Sequence, residues 1–322
     1  MTPHLTGQVT APVPASRQQQ EGSVPAPVPY HRLAHLQRRT SRWWRPLLTL
    51  LLSAALWCGF LIVAGLLGLL LWWLVPGLPQ PTPGLDDPRN PSDMLIAFGM
   101  IALLLPSVVL GSRWGGGAPR IVHSVLGCVR WRLLLRAGVV VVPLYAIVSW
   151  TSFLLGPPAD ASMPRLDLSL AALLVIVVVV VPLQSAAEEY AFRGLPQLAL
   201  GTWLRSPVWG IMLPVPLFIV GHGYDVVGQV SVGMFALCAG FLVWKTGGLE
   251  LAVVMHVANN LPLAVIAPLS PSSMHQGAVD PAHLLIDLPL TIGVTAGLTL
   301  WVSRIHGLRV LEPLRGPGAS PS

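Results

Sequence analysis

Apolar residues along this chain come in long runs, at about 47–75, 94–111, 137–155, 170–187, 207–222, 226–244, 251–269 and 284–303. Runs of this length and purity predict helices that cross a bilayer, so the chain reads as all-α, a polytopic membrane bundle of about eight transmembrane helices. The first run carries no charge and ends in Trp72 and Trp73, residues of the kind found at a membrane–water interface. It starts only after Arg45 and is far longer than the apolar region of a signal peptide. Residues 1–45, rich in Pro, Gln, Ser and Arg, predict a disordered cytoplasmic tail, and 305–322 a second short cytoplasmic tail. Between them 46–304 forms one transmembrane domain, with no room for a soluble domain between spans and no evident internal repeat.

Composition removes the soluble alternative. Hydrophobic residues make up 53 % of the 322 and charged residues 10 %, against about 25 % charged in soluble domains. The net charge of +6 does not imply nucleic acid, because the basic residues follow the membrane. With the N-terminus inside, seventeen Arg and Lys fall on inner segments and only Arg89 and Arg165 on outer loops, beside Asp86, Asp87, Asp93, Asp160, Asp167, Asp225 and Asp280. This asymmetry predicts an even number of spans with both termini cytoplasmic. Eighteen Arg against the single Lys245 fits a GC-rich genome, and this bias with the short loops predicts a bacterial plasma membrane. The implied partner is the lipid bilayer, with no nucleic acid. Cys58, Cys128 and Cys238 are too few and scattered for a disulfide framework or metal site.

Ionisable groups inside a bilayer cost about 2.5–3.5 kcal/mol each and mark function by default. Here they are Glu188, Glu189, Arg193, His222, Glu250, His256 and Asp287. Glu189 and Arg193 are spaced i,i+4 and can neutralise each other, whereas Glu188, about 100° around the helix, is left to face a cavity. The alternative is a buried ion pair plus an interfacial carboxylate. Phe218-x-x-x-His222 has Gly221 and Gly223 flanking the histidine and Asp225 nearby, which could orient the imidazole or be an outer-loop acid. Taken alone, His222 reads as an interface residue. His256-x-x-x-Asn260 lies deep in an apolar run, both residues on one face. They suit an oxyanion site or, alternatively, interhelical hydrogen bonding. Glu250 and Asp287, near span ends, read as interface acids. Ser185 is near the glutamates, but no spacing supports acyl-enzyme chemistry.

Together these positions supply a carboxylate base, two imidazoles and an amide on membrane helices, which suits attack of an activated water on a carbonyl. Glu188, His222 and His256 would equally make a His2Glu ligand set of the catalytic zinc type, although there is no HExxH.

The order EExxxR, FxxxH, HxxxN over about residues 165–270 resembles the CPBP intramembrane protease family, which comprises CAAX proteases and bacteriocin-processing (Abi) proteins. The resemblance implies an intramembrane endopeptidase acting on a peptide or membrane-protein substrate, in which Glu188 is the general base, assisted by His222. It implies that Glu189 and Arg193 hold the helix, with Phe218 supporting the site, and that His256 and Asn260 stabilise the oxyanion. A metalloprotease-like mechanism with zinc is compatible with it. No cofactor is favoured, because Asn260 beside His256 suits an oxyanion hole better than a zinc shell. A catalytically silent scaffold or self-immunity protein is the alternative within the family. A transporter is disfavoured by the lack of repeat symmetry between halves.

One feature of the hydropathy opposes a shared site. If the fourth span ends at Glu188 and His222 ends the next, sixteen residues put them about 24 Å apart. The mostly apolar residues 194–203 and Pro207, Pro214 and Pro216 predict that the fourth helix runs on past Arg193, towards 178–200, and that the fifth is irregular, as a common site requires.

Overall fold

The computed structural model describes residues 27–36 and 40–316. Among the described residues eight apolar helices make up the bundle: α1 (Arg45–Leu74), α2 (Pro91–Gly116), α3 (Trp131–Leu155), α4 (Leu168–Trp203), α5 (Pro207–Val220), α6 (Val226–Thr246), α7 (Glu250–Ile266) and α8 (Leu284–His306). Six of these regions are long and apolar enough to cross a membrane, α8 with a short 3-10 lead-in, and α5 and α7 are shorter. Among the described residues there is no strand, only two isolated bridges.

α7 is the hub. It packs on α3, α4 and α6, and most of its side chains are buried. At about 1.5 Å per residue it is shorter than the roughly 30 Å hydrocarbon layer, which protein rather than lipid around it makes tolerable. α1 is the opposite, apolar on every side and buried only at Arg45, Pro46, Thr49 and Ser53. There it meets Gly111 and Gly115 of α2, where a Cβ on Gly115 would come within 2.7 Å of the Thr49 backbone. Small residues facing small residues let the two backbones touch.

α4 continues past Arg193 to Trp203, and α5 is interrupted at Leu213, where Pro214 starts a second short helix. The expected long fourth helix and irregular fifth are both found, and the apolar run that stops at 187 is corrected as the end of the span. Arg193 looks like a boundary in sequence, yet it is neutralised inside the bundle and the helix does not stop there.

The bundle has a basic and an acidic end. At the acidic end the connections are tied together. Buried Asp93 accepts from the backbone N–H groups of Thr82 and Asp87 and from the Thr82 hydroxyl. Arg89 reaches Ser162 and the Pro268 carbonyl, and Asp160 accepts from Ser270 and Ser272. At the basic end the reading of 1–45 as structureless is corrected for Tyr30–Leu36, a 3-10 helix with Tyr30 and Leu33 in the core. Tyr30 donates to the Val122 carbonyl and Arg32 to that of Gly201. Residues 1–26 and 37–39 lie outside the described residues. The start of the C-terminal segment is also bound, for buried Lys245 donates to the carbonyls of Arg309 and Glu312. Residues 317–322 lie outside the description.

Candidate active site

Glu188 and Glu189 close the α-helical part of α4 just before a π-helical turn, Tyr190–Gly194. Such turns occur mostly singly inside α-helices and often at functional sites. The two carboxylates diverge. Glu189 is wholly buried, and its Oε1 lies 3.1 Å from Arg193 Nη1 and 2.7 Å from His256 Nδ1. Glu188 reaches the other side of the same imidazole, with Oε2 3.3 Å from His256 Nε2, a contact not aligned as a hydrogen bond. His256 is thus held between two glutamates.

The proton positions follow. Glu189 is the counter-ion of Arg193 and accepts at Oε1, so Nδ1 of His256 carries the hydrogen it donates there. Nε2 is left facing Glu188. Arg193 is buried and lies over aromatic faces, its guanidinium carbon 4.0 Å from the Phe218 ring centre and 5.6 Å from that of Phe235. Cation–π attraction in a dry site offsets part of the cost of burying the charge.

Phe218 joins α5 to this cluster, packing edge-on against Phe192 and His256. Its carbonyl accepts from His222 Nδ1 at 2.8 Å, so the neutral imidazole carries its hydrogen on Nδ1 and leaves Nε2 as an acceptor. The depth mismatch expected from hydropathy is resolved by where the chain turns. Glu188 and His222 are equally distant in sequence from Arg205, which sits in the α4–α5 connection. Gly210 packs on Gln197, and Phe218 on Phe192, so the two helices run back antiparallel and set Phe218, one turn from His222, beside Phe192, one turn from Glu188. No hydrogen bond joins His222 to Glu188 among the described residues, and Phe218 lies between His222 and the His256 clamp.

Asn260, one turn along α7 from His256, donates from Nδ2 to Gln184 Oε1 at 3.3 Å, and its own Oδ1 accepts from Asn259. Gln184 lies one turn before Glu188. Two polar rungs therefore cross the α4–α7 seam, Gln184–Asn260 and Glu188–His256. Gln184 escaped the sequence reading, although an amide four residues ahead of Glu188 in an otherwise apolar run is a visible signal. Phe235 left none.

Other acids take different parts. Asp225 caps α6 through the Gly228 N–H and does not orient His222. Glu250 is no interface acid: it is buried against Arg130, accepting from its backbone N–H, Nε and Nη2. Asp287 accepts weakly from Ser231. Ser185 donates to Gln184 at 3.3 Å. Among the described residues no three His, Cys, Asp or Glu side chains are arranged to hold a metal ion. Glu188 and His256 face each other, but the Phe218 ring stands between His256 and His222, so the three side chains are not gathered around one point.

Comparison with known proteins bears on this geometry. Residues 168–262 match the family model of type II CAAX prenyl endopeptidases, Rce1-like. A Bacillus subtilis (strain 168) protein, described as the uncharacterized protein YyaK, is 31 % identical over 137 residues, which is 40 % of this chain and 42 % of that protein. The chain thus aligns with less than half the length of this relative. No solved structure gave a significant match. The matched segment holds Glu188, Glu189, Arg193, Phe218, His222, His256 and Asn260 together, and the recognition of the CPBP/CAAX protease family carried by those residues stands for this part of the chain.

Proposed function

We propose that the protein is an intramembrane endopeptidase that hydrolyses peptide bonds with a water activated by Glu188. The observation that carries this reading is the clamp on His256: one glutamate is spent on Arg193 and on fixing the imidazole, and the other faces Nε2 without an aligned hydrogen bond. Glu188 takes a proton from water as its oxygen bonds to the scissile carbonyl carbon. Nε2–H of His256 and the Asn260 amide donate to the oxyanion that forms. As the C–N bond breaks, the proton on Glu188 passes to the leaving nitrogen. His222, its Nδ1 held by Phe218, presents Nε2 at the same depth and assists in placing the water. No step is routed through a metal. Substrates are peptides or membrane-associated proteins. The basic end faces the cytoplasm of a bacterial plasma membrane, with both termini inside.

The test compares new protein N-termini in membrane fractions carrying the wild type or Glu188→Ala at matched expression. N-termini that appear only with the wild type support the reading and identify substrates. Identical profiles, with equal rescue of a deletion phenotype, would sink it in favour of a scaffold or self-immunity role.

A further inference from the structure

Away from the polar cluster, a groove of about 550 Å3 opens between α3 and α8. Its walls are apolar, Val140, Val141 and Leu144 on one side and Leu290, Val294 and Leu298 on the other, with Arg136 and Trp301 towards one end. From Arg136 to Leu144 along α3, and from Pro289 to Trp301 along α8, the lining spans about 12 and 18 Å at 1.5 Å per residue. That is about half of a hydrocarbon layer some 30 Å thick, the depth of a single leaflet.

Charge sits where that leaflet meets water. Arg132 is one helical turn below Arg136 on α3, and Arg304 is one turn beyond Trp301 on α8. All three arginines are exposed, and none has an acidic partner among the described residues. The groove has room at its wall, because a Cβ on Gly293 or Gly297 would meet no atom within 4 Å.

We propose that this groove binds an anionic phospholipid of the leaflet at the basic end, its phosphate on Arg136 with Arg132 and Arg304, and an acyl chain along α3 and α8. Basic clusters between helices at the membrane surface bind anionic head groups, and a buried chain adds apolar contact. A second copy of the protein is the weaker occupant, because a two-fold contact through this face would bring the same arginines together. The site lies on helices other than α4 and does not depend on the proteolytic reading.

The test reconstitutes the purified full chain in nanodiscs of equimolar phosphatidylglycerol and phosphatidylcholine, transfers it to mild detergent and counts retained lipid by native mass spectrometry. The wild type is expected to retain phosphatidylglycerol in preference. Arg136→Gln lowers that retention about fivefold, and Gly293→Leu with Gly297→Leu, which fills the groove, abolishes it. Arg136 is exposed, so its variant keeps the test alive should the leucine pair fail to fold. Equal retention of the two lipids, or retention unchanged in Arg136→Gln, would overturn the proposal. So would a wild-type dimer that the leucine pair converts to monomers.

Discussion

Glu250 and Glu188 are both buried glutamates of the same bundle, one opening α7 and the other facing that helix less than two turns further on. Glu250 is saturated: Oε1 accepts from the Arg130 backbone N–H at 2.8 Å and from Nε at 2.9 Å, and Oε2 from Nη2 at 2.5 Å. It also opens a helix, where the partial positive charge of the N-terminus favours an anion. Glu188 has a histidine nitrogen instead of a guanidinium, and its Oε2 has no aligned hydrogen bond. A carboxylate whose two oxygens are both held by a permanent cation fastens helices. One left beside a group that can itself gain or lose a proton is poised for chemistry.

The comparison breaks or sharpens under substitution. Glu188→Gln should lower the rate of appearance of new N-termini about 10²–10⁴-fold, the usual worth of a positioned general base, while the detergent melting curve is unchanged. Glu250→Ala should do the reverse. It strands the part-buried Arg130 charge, which keeps only the Thr246 carbonyl, costs about 2–4 kcal/mol and lowers the melting temperature, while the folded fraction keeps its activity. Were Glu250→Ala inactive but stable, or Glu188→Gln unstable, the distinction between the two carboxylates would fall. Gly210→Ala comes next. A Cβ there lies 2.9 Å from the Gln197 Cα, so α5 must move off α4 at about 1–3 kcal/mol. Activity should fall with it, because His222 follows α5 and loses its level with Glu188.

The smallest effect belongs to an exposed carboxylate outside the spans. Hydrogen bonds from Ser270, then Ser272, hold Asp160 down to about 2. A depressed folded value means the clamp is fully present above the ordinary carboxylate range and is lost as pH falls from about 4 through 2. Amide exchange in the 156–167 connection should quicken over that window, and Asp160→Asn should remove the pH dependence without changing the bundle.

Much of the site was legible in the sequence. Three spaced motifs in apolar runs named Glu188, His222, His256 and Asn260, and the i,i+4 spacing named the Glu189–Arg193 pair. The partner choice was not legible. Nothing in one helix's spacing says that His256 of α7, rather than His222 of α5, stands against Glu188, because that depends on the register in which two helices pack. Arg193 misled for a related reason. A charge ends a span by hydropathy, but its cost vanishes from that account once Glu189 and two aromatic rings surround it. Tyr30 and Leu33 were lost in a polar tail, although their i,i+3 spacing matches the short 3-10 helix they form.

The sequence by itself determined the solvent, the helical class, the approximate number of spans and the set of polar residues that the membrane would not tolerate without purpose. Those are consequences of composition and of local spacing, which need no partner segment. Tertiary structure decided which of two glutamates is spent on Arg193 and His256 together and which faces the imidazole alone. It also fixed the return of α5 along α4, which packs Phe218 on Phe192, and the pairing of Glu250 with an arginine far away in sequence. Each of these depends on contacts between helices, and the energy of such contacts is set by packing and burial that no single stretch of chain contains.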